Sequence, residues 1–418
     1  MDAADPRRCL PRFVQRQANR LVVDGRAYAL DNYPRLFLLS VGKAAEAMAD
    51  ALLPLLDDRL SGGLIVAKHA SRGMLRLRSA QAFGRVAVMD AGHPLPDARS
   101  LAAGQRVLDL LAHLNPDDLL VCLISGGASA LLAAPVDGVS LDDLRNLTSL
   151  LLADGASIDE LNLARKRLDQ LKGGGLALRS SARIISLILS DVIGDRLDLI
   201  ASGLTAPDSS SVEDAERVLS RFNLASRLPF HLLAALKSSD CHFAGSFEHV
   251  QNVIVGSNAQ AARAALTQAK RDGFHSRILT TTLQGEARDA GAQLAKTLRR
   301  ARTRPLCLIA GGETTVTVTG DGLGGRNQEL ALAAALELDG VPDSMLLSFA
   351  TDGDDGTTGA AGAVVTGETL SRARKLGLDA HDFLRRNDSH TFFAALDDLL
   401  ISGPTGTNVN DLVLLFRF

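Results

Sequence analysis

The sequence predicts an α/β protein of two domains, each built on a sheet whose strands alternate with helices. Three observations point there. Short, wholly apolar runs recur along the chain, Ala/Leu-rich helical stretches separate them, and 418 residues exceed what one ordinary core supports. Continuous apolar strands spaced by helices mark a parallel sheet covered on both faces.

The first series of predicted strands is 36–41, 63–68, 85–90, 118–125 and 183–191, with helices over 43–56 and 98–114. A polar stretch follows, including a helical pattern at 209–222, and the alternation pauses there. The pause places the domain boundary near residue 240, giving domains 1–240 and 241–418. The second series comprises strands 250–256, 276–282, 304–312, 314–320 and 344–352, with helices over 259–273 and 287–301. Strict Thr alternation in 314–320 predicts an antiparallel strand with one face open to solvent.

Composition narrows the partners. Lys plus Arg number 45 against 48 Asp plus Glu, a net charge of −3, which leaves no basic face for nucleic acid. The core must be aliphatic, because the chain has 14 Phe, 2 Tyr and no Trp. Cys9, Cys122, Cys241 and Cys307 show no paired spacing, so buried free thiols are expected rather than disulfides or a zinc site. No apolar run reaches the roughly 20 residues that span a bilayer, and the N-terminal residues lack an apolar signal segment. The expectation is a cytoplasmic protein without membrane attachment.

In open α/β sheets ligands sit outside the carboxyl ends of the strands. Gly42-Lys43 follows the first strand and opens a helix, where N–H groups and an ammonium suit a phosphate or carboxylate. Ser125, Gly126, Gly127 and Ser129 follow the fourth strand; glycines admit a close oxyanion and hydroxyls add donors, although a tight turn with a capping serine reads equally well. Asp191 and Asp195 follow the fifth, a spacing that can hold Mg²⁺ through few protein ligands or cap a loop. Lys172 stands at a glycine hinge. In the second half Glu313, the run Arg326-Asn327-Gln328, Asp352 and the loop bearing Thr405, Thr407 and Asn408 repeat the pattern. Residues 320–325 match GxGxxG, but polar residues follow where small apolar ones normally let helix and strand pack, so a dinucleotide site is disfavoured. A Walker A loop is absent from the sequence.

Six loops in order, SGGASALL (125–132), LNLARKRLDQLKGG (161–174), SDVIGD (190–195), GGRNQEL (324–330), ATDGDDG (350–356) and SGPTGTNVNDL (402–412), resemble the class II glycerate kinase family, whose C-terminal region is called the MOFRL domain. The resemblance runs from about Leu36 to Leu415. It implies two three-layer α/β/α domains, a Rossmann-like mostly parallel sheet and a second mixed sheet, with the active site in an interdomain cleft on which the last segment packs back. It further implies ATP- and Mg²⁺-dependent phosphorylation of D-glycerate, usually to 2-phosphoglycerate, by a monomer or homodimer. The family's catalytic lysine and arginine map onto Lys43 and Arg326. Departures fall at Ile193, Arg196, Leu204 and Arg167, so loop rigidity near 190–205 and substrate preference are where differences are expected.

The mechanism this implies is in-line transfer, with Lys43 and Arg326 on the transferring phosphoryl group. Asp191 would bind Mg²⁺, together with Asp195 and Asp352, or accept the hydroxyl proton; sequence does not separate the two. Ser125, Gly126, Gly127, Ser129, Lys172, Glu313, Asn327, Gln328, Thr405, Thr407 and Asn408 would line substrate or nucleotide. Two other readings remain: an NAD(P)H-dependent hydroxypyruvate reductase resting on 320–325, and a non-enzymatic sugar-phosphate sensor.

Overall fold

The computed structural model describes residues 3–56, 58–68, 86–238 and 245–418. The chain divides into two compact units, Pro6–Val255 and Gly256–Phe418, the latter taking in the few residues before Pro6.

The first unit opens with a three-stranded antiparallel meander, β1 (Val14–Gln17), β2 (Arg20–Val23) and β3 (Arg26–Ala29). Its main sheet holds β4 (Leu36–Val41), β5 (Leu60–Ala67), β6 (Val86–Asp90), β7 (Leu119–Ser125), β8 (Arg183–Leu189) and β9 (Val250–Gly256), in the order β6-β5-β4-β7-β8-β9. Neighbours from β6 to β8 pair in parallel. These strands carry unbroken apolar runs because both faces are covered. Leu39, Val41, Cys122 and Ile124 pack with Ala103 and Val107 of helix Ala98–Ala112. Leu38, Val121 and Leu123 are equally buried on the opposite face, and helix Ala45–Leu56 packs against β4, β5 and β7.

The pause in the alternation is a helical insertion. Helices Leu141–Ala153, Ile158–Arg167, Val212–Arg221 and Phe230–Lys237 enclose a separate cluster around Leu151, Leu168, Leu224 and Leu232. The chain then returns to the first sheet and adds β9 beside β8. The division therefore falls after Val255, not near 240, and the strand at 250–256 closes the first sheet instead of opening the second. Position 240 itself, like Cys241, lies outside the described residues.

In the second unit, β10 (His275–Leu283), β11 (Leu306–Gly312), β12 (Ser344–Ala350), β13 (Gly362–Thr366), β14 (Leu399–Leu400) and β15 (Asp411–Arg417) form a sheet ordered β10-β11-β15-β12-β13-β14. Only β10 and β11 pair in parallel; the other ladders are antiparallel. Helices Ala287–Arg300 and Arg326–Leu338 share one core with this sheet, and helix Asn258–Arg271 packs against β10 and β11. The last segment is a central strand between β11 and β12, where the sequence reading had it pack back on a cleft.

Residues 314–320 are not a strand. Beyond one bridge, Glu286 to Thr315, the segment finds no ladder partner among the described residues. Thr317 is instead held by the Glu286 carboxylate, and Thr319 N donates to Asn387 Oδ1 at 2.9 Å. Alternation alone does not make a strand; a ladder along a neighbouring edge is needed, and this segment makes a single bridge. Cys9, Cys122 and Cys307 are buried free thiols, and burial pushes the Cys122 thiol up to about 12.

Candidate active site

In the first sheet the chain runs outward from β4 to β5 and β6 on one side, and from β7 to β8 on the other. The topological switch point therefore lies between the carboxyl ends of β4 and β7, where open α/β sheets bind ligands. Gly42-Lys43 leaves β4 there, and Ser125-Gly126-Gly127 ends β7. Backbone bonds join the two loops: Lys43 N donates to Gly126 O at 2.9 Å, and Ala44 N donates to Ser125 Oγ at 3.0 Å. Gly42 has φ +130, and a Cβ there would overlap Ser125, so the approach requires glycine. Lys43 is exposed just ahead of helix Ala45–Leu56, with its side chain directed to neither core.

The neighbouring strand ends complete a rim. A Cβ on Gly126 would overlap the Asp191 carboxylate, which comes from the end of β8. A Cβ on Gly127 would lie 3.1 Å from Lys43 Cγ and 3.2 Å from His93 Nε2. The glycines thus let Lys43, Asp191 and His93 crowd one loop. Ser129 Oγ lies 2.8 Å from Ser202 Oγ, which donates to Asn162 Oδ1 at 2.8 Å, so this serine is tied into the fold beside the loop. Burial, with the ammonium groups of Lys43 and Lys68, pushes His93 down to about 4, so its ring is neutral at pH 7. Sequence reading passed over His93 and Lys68. Both follow strands, β6 and β5, and inspecting every carboxyl end would have found them.

Lys172 does not join this rim. It is 3% exposed, and its ammonium donates to Leu132 O at 3.0 Å and Asp169 Oδ2 at 2.5 Å. Asp169 also accepts from Ala134 N at 3.0 Å, so the pair braces the segment after the glycine loop. Burial lowers the Lys172 pKa despite Asp169. The departures from the family pattern also face the fold: Leu204 is in the main core, and Arg167, 1% exposed, donates to Leu236 O and Ser238 O. Arg196 is exposed and pairs with Asp198 and Asp159.

In the second unit, antiparallel pairing brings the start of β15 opposite the ends of β11 and β12: Asp411 faces Gly312 and Ala350. Arg326 opens helix Arg326–Leu338 at this edge. Its Nε and Nη2 donate to Asp411 at 2.6 and 2.9 Å, a bidentate hold, and Nη1 lies 3.0 Å from Glu313 Oε1. Burial raises the Asp411 pKa to about 6 even against this guanidinium, while Asp411 and Glu313 keep Arg326 charged. Asn410 Nδ2 donates to the second Glu313 oxygen at 3.3 Å. Glu313 and Arg326, each expected to face a ligand, are thus paired with one another, with Asp411 as an unforeseen third member.

Asn327 and Gln328, expected to face a ligand, are buried at 1% and 0% exposure. Gly325 offers no side chain to cap the helix, and Asp355 does so from outside: its carboxylate accepts from Asn327 N at 3.0 Å and Gln328 N at 2.9 Å. Both side-chain amides donate to the same carboxylate, Ser348 donates to Asn327 Oδ1, and Gln328 Oε1 meets His390. They are spent on the fold. Thr407 is likewise occupied, donating to Ala4 O at 2.6 Å, and Thr405 donates to Thr351 O at 2.6 Å. Asn408 Oδ1 accepts from Asn410 N, and Asp352 Oδ1 accepts from Asp354 N, each shaping its own turn.

The GxGxxG match has a packing origin. Cβ atoms on Gly320 and Gly322 would strike Arg386 O and Asp388, and one on Gly325 would strike Asp355, so the motif's glycines serve close packing of the 386–389 turn and of Asp355. For Mg²⁺, no group of three or more His, Cys, Asp or Glu gathers among the described residues. That fits an ion held by one or two carboxylates and substrate phosphates, the usual habit of Mg²⁺. Asp191 is pressed against the glycine loop, with Asp195 four residues on in the same turn after β8.

A parallel sheet with a lysine–glycine–aspartate rim at its switch point, followed by a mixed-sheet unit presenting a clamped arginine, defines a two-unit α/β phosphotransferase. Residues 1–237 match the family described as Domain of unknown function (DUF4147), and residues 306–411 match the MOFRL family. The chain is 41% identical over 390 residues to the D-glycerate 2-kinase of Thermotoga maritima, covering 92% of this chain and 91% of that one. It is 40% identical over 439 residues to the glycerate kinase of Homo sapiens, covering 91% and 84%. A crystal structure of glycerate kinase from Thermotoga maritima superposes with a TM-score of 0.86 at 39% identity, covering 100% of this chain and 96% of that one. The chain belongs to the glycerate kinase family.

Proposed function

We propose that the chain transfers the γ-phosphoryl group of ATP directly to D-glycerate, forming 2-phosphoglycerate. The observation that carries this reading is the exposed Lys43 at the β4–β7 switch point, bonded through its own amide to the glycine loop that Asp191 abuts. The family relationship supports the same chemistry. In the transfer, the glycerate hydroxyl oxygen bonds to the γ-phosphorus as the bond to the ADP oxygen breaks, and the hydroxyl proton passes to Asp191 or to solvent. Lys43 and Arg326 neutralise the phosphoryl oxygens, and fixed charges of this kind are what such transition states demand. Two N–H groups of Arg326 are committed to Asp411, which fixes the plane of the guanidinium and leaves others for the phosphoryl group. Asp191 and Asp195 would hold Mg²⁺, whose chemistry when bound is charge neutralisation on the phosphates. Ser125, Gly126, Gly127 and Ser129 line the acceptor or nucleotide.

The test is incubation with ATP, Mg²⁺ and D-glycerate, following ADP and resolving the product by phosphorus NMR. 2-Phosphoglycerate is expected. 3-Phosphoglycerate as sole product would overturn the regiochemistry. NADH oxidation with hydroxypyruvate in the absence of ATP would overturn the reaction class.

A further inference from the structure

Every strand from β4 to β8 is followed by a polar residue at the carboxyl edge of the first sheet, and His93 and Lys68 are the two without an assigned task. It lies just beyond β6, in the loop leading to helix Ala98–Ala112. The ring edge carrying Nε2 meets the α-carbon side of Gly127, where a Cβ would stand 3.1 Å from Cδ2 and 3.2 Å from Nε2. The Lys43 stem occupies the same ground from the other side, at 3.1 Å. The opposite ring nitrogen, Nδ1, is buried and meets no hydrogen-bond partner among the described residues.

A neutral imidazole has one N–H and one lone-pair nitrogen, and the hydrogen-bond surroundings decide which is which. A proton on Nδ1 would be a buried donor with nothing to receive it, which is costly. The proton therefore belongs on Nε2, at the loop. Lys43 and Lys68 make this edge cationic, and both act on the ring. An anionic oxygen is the group such a corner receives.

We propose that His93 is a further substrate-contacting residue, donating from Nε2–H to the carboxylate of the acceptor and so selecting a hydroxy acid over a neutral polyol. This rests on the proposed glycerate phosphorylation and adds which end of glycerate meets the β6 loop. Burial and the two ammonium groups keep the ring neutral at pH 7, so it serves as a donor of fixed tautomer. It follows that His93 acts in binding, and not as the base for the hydroxyl.

Steady-state kinetics on full-length variants test this, with D-glycerate and its uncharged amide as acceptors. Removing one donor to a charged group should raise the glycerate KM of His93→Ala by about tenfold or more, with kcat and the ATP KM within about threefold. The preference for glycerate over the amide should fall by a similar factor. His93→Gln places an amide N–H near the Nε2 position and should recover most of the KM loss; His93→Asn, which mimics Nδ1, should not. Thermal melts of all three variants exclude a folding defect as the source of the change. An unchanged glycerate KM in His93→Ala, a loss confined to kcat, or rescue by Asn but not Gln would each overturn the proposal. Wild-type protein inert toward glycerate with ATP and Mg²⁺ would instead sink the underlying function.

Discussion

At the residue scale, the two cations carry different structural burdens. Lys43 is exposed and anchored through its backbone amide, whereas Arg326 is clamped by Asp411 and Glu313. Replacing either by Ala should lower kcat by about 10²–10³-fold, the usual loss for one preorganised charge, and near wild-type turnover would remove its assignment. The clamp adds a pH dependence. Asp411 has its pKa raised from 3.8 to about 6. Its proton is thus held more tightly in the folded state, so this group favours folding most below about pH 4, and that contribution is lost as pH rises through about 6. Activity runs the other way: protonation below about 6 releases Arg326. The rate profile should show an acid limb near that value, and Asp411→Asn should lower the rate while removing the limb. A limb that persists unchanged in the variant would exonerate Asp411. Lys43 was legible in the sequence because it directly follows an apolar strand. Asn327 and Gln328 were misread because their partner, Asp355, is 28 and 27 positions away and acts only once the chain folds.

At the scale of elements, sequence pattern succeeded wherever an element's own periodicity decides its state. The apolar runs at β4, β7 and β8 and the helices after β4 and before β7 lie where periodicity put them. It failed at 314–320, where strand formation depends on a free edge that only the sheet can supply. It also failed at β9, because sheet membership is settled by a partner across the helical insertion. The cap on helix Arg326–Leu338 is likewise borrowed from another element. Asp355→Ala leaves the Asn327 and Gln328 amides as buried donors without an acceptor, and should cost about 1–3 kcal/mol. Urea unfolding should show a lower midpoint with an unchanged slope. No shift in midpoint would mean the helix does not need this carboxylate.

At the scale of the molecule, six ordered loops were enough to reveal the family, while the order of strands in each sheet was not readable. β15 shows why: nothing local to Asp411–Arg417 says that it will separate β11 from β12. A chain ending at Asn410 should lose the second sheet, seen as insolubility or the absence of a cooperative transition; a soluble truncated protein with native melting would refute that role. The same strand has a temporal consequence. During synthesis β11 and β12 emerge long before the segment that joins them. The 67 residues between Ala350 and Arg417 take roughly 3–13 s to translate at bacterial and eukaryotic elongation rates. For that interval the nascent second unit carries two unpaired apolar edges, and the Ala4 carbonyl waits for Thr407. The first sheet waits in the same way, since β8 ends at Leu189 and its neighbour β9 is complete only at Gly256. In both units, therefore, chaperone demand during translation should concentrate on the strand edges whose neighbours are made last.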